Sequence, residues 1–293
     1  MGDQAAKLRS MLIEKTLTKK NEVKHKQQDI KIYAVSSGKG GVGKTNIVLN
    51  TAIALQRMGK RVLIIDTDFG FSNVDVLCGL TPNKSFQDVL SGDASLQEVI
   101  IEGPEGIKII PGGSDVSDLK TVSQDHQKVL QVQFQALNDV DIILIDTGAG
   151  LTKTLMQYVM FAKELLLVIT PEPTAITDAY NFLKVIDQYK LKKSVHLVVN
   201  RAESEAEGRK TFLLMEETIQ RFLSISVTYA GCVKDERNVS LAVKKQTPFV
   251  IKYANSQASK DIKKLAFYLL GNIDRIEVKS IQDVFNRLVR VFS

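Results

Sequence analysis

Residues 38 to 45 read GKGGVGKT, between an apolar run, IYAVSS (32 to 37), and a stretch of helical period that begins at Lys44. No other feature restricts the fold as strongly. The spacing G-x-x-x-x-G-K-[ST] is a phosphate-binding loop when a strand leads in and a helix leads out, and both are expected here. Gly38, Gly40, Gly41 and Gly43 let the backbone around Val42 bring its N–H groups onto phosphate oxygens at a helix N-terminus. Lys44 carries positive charge to the β- and γ-phosphates, Thr45 offers a hydroxyl to Mg²⁺, and Asn46 follows in the helix. The implied ligands are ATP or ADP with Mg²⁺. Lys39 is surplus to this scheme.

From Ile30 onward, β-branched apolar runs alternate with segments of helical period, the pattern of an α/β chain with a mostly parallel sheet and helices on both faces. Strands are expected at 32–37, 61–66, 107–112, 141–146, 164–170, 195–200 and 227–233. Helices are expected at 44–58, closed by Gly59, and at 123–138, 174–190, 208–223 and 257–270. The expected domain runs from 30 to 272, after a polar, Lys/Gln-rich stretch over 1–29 and before an appendage over 273–293. No apolar run approaches the roughly 20 residues that span a bilayer, and the polar start is not a secretory signal, so the cytoplasm is expected. Cys78 and Cys232 are too far apart and too isolated for a cluster or a disulfide framework, so core thiols are expected. Much of the +6 formal charge sits in the two ends, which leaves the middle nearly neutral and argues against a nucleic-acid surface.

Three carboxylates end strands: Asp66 and Asp68 in RVLIIDTD, and Asp146 in DIILID before TGAG. A lone Asp there serves as often as a cap. In a parallel sheet, however, all three reach the edge that carries the loop, where carboxylates can orient water and hold hydrated Mg²⁺. GKGGVGKT, IDTDFGFSNVD and IDTGAG together resemble the deviant Walker A loop and two switches of the MinD/ParA family of P-loop ATPases, over roughly residues 30 to 270. The resemblance implies a three-layer P-loop NTPase fold and an ATP-bound homodimer in which Lys39 crosses to the partner subunit's phosphates. It implies catalytic roles for Lys39, Lys44 and Asp68, the last positioning the hydrolytic water, with Thr45, Asp66 and Asp146 around Mg²⁺. It also places Asn200, with Arg201 beside it, at the adenine. An Asn at a strand end is also an ordinary cap. The family's Pro-x-Asp after the last core strand is replaced by CVKDERNV, with Lys234 at the Pro position and Asp235 or Glu236 at the Asp position.

The two ends narrow the family. SIQDVFNRLVRVFS sets Ile281, Val284, Phe285, Leu288 and Phe292 at helical spacing with Arg287 and Arg290 largely opposite, an amphipathic helix able to lie in a membrane interface or to pack on its own domain. It resembles MinD-type targeting helices, which implies peripheral attachment to the inner face of the cell membrane. Near the start, DQAAKLR can by itself be read only as a helix beginning with an Asp cap. It is similar to the DQAxxLR segment of the FlhG (YlxH) family of flagellar number and placement regulators, and TPEPTAITDAYNFLK (170–184) is typical of that family too. That resemblance assigns Asp3, Gln4, Ala5, Leu8 and Arg9 to stimulation of the GTPase FlhF, and implies flagellar switch (C-ring) proteins as further partners. MinD-type division ATPases and ParA-like DNA-partitioning ATPases are the alternatives, the first starting closer to its first strand and the second wanting a basic surface. A nitrogenase-type reductase would need cysteines near the second switch, where this chain has none.

Overall fold

In the computed structural model, which describes residues 30–68, 73–113 and 139–271, eight strands form one sheet in the order β3-β4-β2-β5-β1-β6-β7-β8. They are β1 (Lys31–Ser36), β2 (Val62–Asp66), β3 (Ile101–Glu102), β4 (Lys108–Ile110), β5 (Ile142–Asp146), β6 (Glu164–Ile169), β7 (Ser194–Ala202) and β8 (Ser226–Lys234). All pairings are parallel except β3 with β4. The seven expected strands are present with ends shifted by a few residues. The expectations for 1–29, 123–138 and 273–293 lie outside the described residues.

Each central strand is apolar on both faces because both faces are covered. On β1, Ile32 and Ala34 join one core with Phe182, Leu183, Phe212 and Met215, while Tyr33 and Val35 join the other with Ile53, Leu55, Ile262 and Leu265. The first layer carries α3 (Phe86–Ser91), α4 (Leu96–Val99), α5 (Lys153–Phe161), α6 (Pro173–Gln188) and α7 (Glu205–Phe222). The second carries α1 (Lys44–Arg57), α2 (Val74–Cys78), α8 (Arg237–Lys244), α9 (Phe249–Lys252) and α10 (Gln257–Gly271). Each fully buried Leu, Ile or Phe contributes on the order of 1.5–3 kcal/mol of transfer free energy, so the two cores hold the sheet edge that carries the polar site. Among the described residues no helix is long and apolar enough to cross a membrane.

Gly59 ends α1 as expected: at φ 80° its N–H bonds Gln56 O at 2.9 Å and Lys60 N–H bonds Leu55 O at 3.1 Å, a Schellman closure. Several elements had no expectation. Strand β3 has two residues, too short to alternate, and turns through Gly103 to Gly106 into β4. Helix α5 has nine residues and is capped by Thr152, whose hydroxyl accepts from Leu155 N–H at 3.1 Å. The cysteines divide: Cys232 is buried and donates to Glu205 at 3.2 Å, whereas Cys78 is only half-buried, a departure from two core thiols.

Candidate nucleotide site

Strands β1, β2 and β5 bring Ser36, Asp66 and Asp146 to one carboxyl edge, with Asp66 directly across from Asp146 in the ladder. Thr147 and Thr67 fix that edge. Thr147 Oγ1 donates to Val35 O at 3.0 Å and lies 2.9 Å from Ser36 Oγ, and Thr67 Oγ1 donates to Asp146 O at 3.0 Å. Above it the loop turns into α1, whose first turn has no side-chain cap and no acidic residue, leaving its N–H groups to an anion. Gly43 is required there: its φ is 88°, and an added Cβ would lie 2.3 Å from Asn200 Nδ2.

The charged groups converge as the strand ends imply. Lys44 Nζ lies 2.5 Å from Asp146 Oδ1, a pair only 7% and 1% exposed. Among the described residues Asp146 Oδ2 is buried with no hydrogen-bond partner, an orphaned acceptor beside Lys44 and Asp66. Burial, and then the Asp146 carboxylate, push Asp66 up to about 7, against the pull of backbone N–H groups at Asp68, Asn73 and Val74. Two buried carboxylates side by side, one with an oxygen that has no hydrogen-bond partner among the described residues, fit a divalent cation, which would offset their charge and satisfy that oxygen. Asp68 donates its N–H to Asp66 Oδ1 at 3.0 Å. Burial raises its carboxyl, Lys44 opposes that shift and Asp146 adds to it, so it sits within electrostatic reach of both.

Lys39 lies on the rim, its side chain 41% exposed, with Nζ donating to Thr174 Oγ1 at 3.0 Å and 3.5 Å from Glu172 Oε2. Asn200 lies at the end of β7, buried, and its Nδ2 donates to Val42 O at 2.8 Å. The carbonyl it meets fixes the amide orientation, which leaves Oδ1 as the acceptor of that amide. Arg201 follows at φ 56° in a register shift of β7 against β8, and is exposed. Asp235 is exposed, with its N–H bonded to Ala202 O at 2.8 Å. Glu236 turns the other way: its carboxylate accepts from Ala258 N–H at 2.9 Å, capping α10. Of the sequence-derived set, Gly38 to Asn46, Asp66, Asp68, Asp146 and Asn200 therefore gather at one edge. Residues 3, 4, 8, 9, 281, 284, 285, 288 and 292 lie outside the described residues.

Sequence reasoning missed Glu172 and Thr174, which touch Lys39, and the braces Ser36, Thr67 and Thr147. Only their position marked them: Ser36 ends β1, Thr67 and Thr147 follow β2 and β5 by one residue, and Glu172 and Thr174 follow β6 by three and five.

A family model described as an AAA domain matches residues 30–199. The chain is 36% identical over 238 residues to antiactivator FleN of Pseudomonas aeruginosa, covering 81% of this chain and 85% of that protein. The chain belongs to the MinD/ParA family of P-loop ATPases. It is also 32% identical over 266 residues to the flagellum site-determining protein YlxH of Helicobacter pylori, covering 89% and 90% of the two chains. Among solved MinD/ParA structures, septum site-determining protein MinD of Pyrococcus horikoshii, complexed with Mg-ADP, has a TM-score of 0.64 at 27% identity, covering 84% of this chain and 100% of that one.

Proposed function

We propose that this chain is an ATP-driven regulator of flagellar number and placement, which dimerises with ATP, attaches to the inner face of the membrane and is reset by hydrolysis. The observation that carries the flagellar part is its likeness to FleN and YlxH across most of their lengths, beside DQAAKLR at residues 3 to 9. The observation that supports hydrolysis is the Lys44, Asp146, Asp66 and Asp68 cluster beneath the loop.

In this reading the N–H groups of Gly38 to Thr45 and the Lys44 ammonium bind the phosphates, and Asp68 orients the attacking water. Thr45, Asp66 and Asp146 hold Mg²⁺, which when bound neutralises charge on the transferring phosphoryl group. Lys39 reaches the phosphates of a second copy, and Asn200 meets the base with its amide oxygen. Residues 281 to 292 hold the membrane weakly in one copy and firmly in two. Asp3, Gln4, Leu8 and Arg9 engage the GTPase FlhF, and switch-complex proteins are further partners.

The test is the GTPase of a cognate FlhF with and without the full chain. Wild type accelerates it and Gln4→Ala does not. If wild type gives no acceleration, the flagellar assignment is lost while the ATPase stands.

A further inference from the structure

Lys39 is the residue that the proposed dimer needs to extend into another subunit, and in this chain it has cis partners instead. Its backbone is fixed by Ser37, whose hydroxyl donates to Lys39 O at 2.9 Å. Gly38 is seated on helix α6, since an added Cβ would lie 2.4 Å from Asp178 C and 2.6 Å from Ala179 N. With the loop pressed against that helix, the Lys39 ammonium meets its first turn. Thr174 Oγ1 accepts from Nζ at 3.0 Å, and Glu172 Oε2 stands 3.5 Å away. Glu172 is the N-cap residue of α6, followed by Pro173 at the first helical position.

A cation at a helix N-terminus is unfavourably placed, because the dipole there is positive. The Glu172 carboxylate offsets that repulsion, and Thr174 gives the ammonium a defined acceptor. The arrangement is weak: both charged side chains are about half exposed, at 41% and 56%, so solvent and salt screen them. A phosphate oxygen is a stronger acceptor for an ammonium than a hydroxyl and a screened carboxylate. The cis contacts therefore hold Lys39 in a single subunit and yield when a phosphate is offered.

We infer that Glu172 and Thr174 are positioning residues that retain Lys39 on its own subunit until the nucleotide of a second copy competes for it, and so set how much ATP-bound chain is needed to pair. This rests on the reading that Lys39 acts in trans. Losing one such contact shifts the balance by the amount typical of an exposed ion pair, about two- to fivefold in the concentration for half-dimerisation. The shift shrinks as salt rises.

Two measurements test it with the full chain. The first needs no dimer: the rate of amine acylation at Lys39, followed by mass spectrometry in the presence of ADP. Glu172→Gln and Thr174→Val raise that rate, and Thr174→Ser restores the wild-type value. The second is sedimentation with ATP across protein concentrations, where Glu172→Gln dimerises at lower concentration and has no effect in a Lys39→Ala background. Unchanged acylation in both variants overturns the inference, as does weaker pairing by Glu172→Gln. If wild type stays monomeric with ATP while acylation responds as expected, the trans role of Lys39 is what fails, and the retention of Lys39 stands.

Discussion

Gly38→Ala offers a sharp test of how the loop is seated, because the obstacle is backbone on both sides. The added Cβ would lie 2.4 Å from Asp178 C, 2.5 Å from Asp178 O and 2.6 Å from Ala179 N, where ordinary contact begins near 3.4 Å. No rotamer change relieves a clash with main chain, so the loop or α6 must withdraw by about 1 Å. Overpacking of this size costs roughly 1–3 kcal/mol, which the two apolar cores can absorb without unfolding the protein. Function has less room: groups that act on a bound substrate tolerate about 0.5 Å, and a 1 Å error costs on the order of 100-fold in rate. The variant should therefore fold, unfold at a lower urea concentration, and turn over ATP about two orders of magnitude more slowly. Urea unfolding followed by circular dichroism and steady-state phosphate release are the assays. Turnover within about threefold of wild type with an unchanged unfolding midpoint would refute the close approach of loop and helix.

Lys44→Met removes the ammonium hydrogen-bonded to Asp146 and leaves a carboxylate with no exposure, which typically costs about 3–5 kcal/mol. Urea unfolding should show that loss, and adding Asp146→Asn should recover most of it without restoring nucleotide binding; an unchanged midpoint in the single variant would contradict the buried pair. Proton release gives a separate check on Asp66. Its folded carboxyl is raised by burial and by Asp146 to about 7, above the unfolded 3.8, so the free protein loses stability from this group as pH climbs from about 4 to about 7, at about 1.4 kcal/mol per unit, and nothing further above that. Mg²⁺-nucleotide favours the ionised form, so binding should release a proton below pH 7 and none near pH 9. Calorimetry in buffers of different ionisation enthalpy measures it, and equal release at both pH values would exclude Asp66 as the source.

The sheet was legible because parallel strands buried on both faces read as unbroken apolar runs, and IYAVSS, DIILID and ELLLVIT have no other easy home. Asp66 and Asp146 were legible for the same reason. Once both runs are strands of one parallel sheet, their last residues must share an edge, and the ladder pairs them directly. Strand β3 and helices α2, α4 and α9 were not legible, since two to five residues carry no period to detect.

What no sequence pattern carried is which of two uses a polar residue is put to. Asn200 stands near the end of an apolar strand and Glu236 just beyond one, and both could face a base. Asn200 spans 158 residues to tie its nitrogen to Val42 O in the loop, whereas Glu236 spends its carboxylate on the N-terminus of α10. The difference comes from the bulge at Asn200 and Ala202 and from where α10 begins, neither of which leaves a local signature. Lys39 shows the same thing across 135 residues: GKGGVGKT announces a second lysine, but only the packing of Gly38 on α6 brings that lysine to Thr174 and Glu172. A glycine required for contact thus decides what its charged neighbour can reach, so a substitution at 38 should alter the chemistry of residue 39 before it alters the fold.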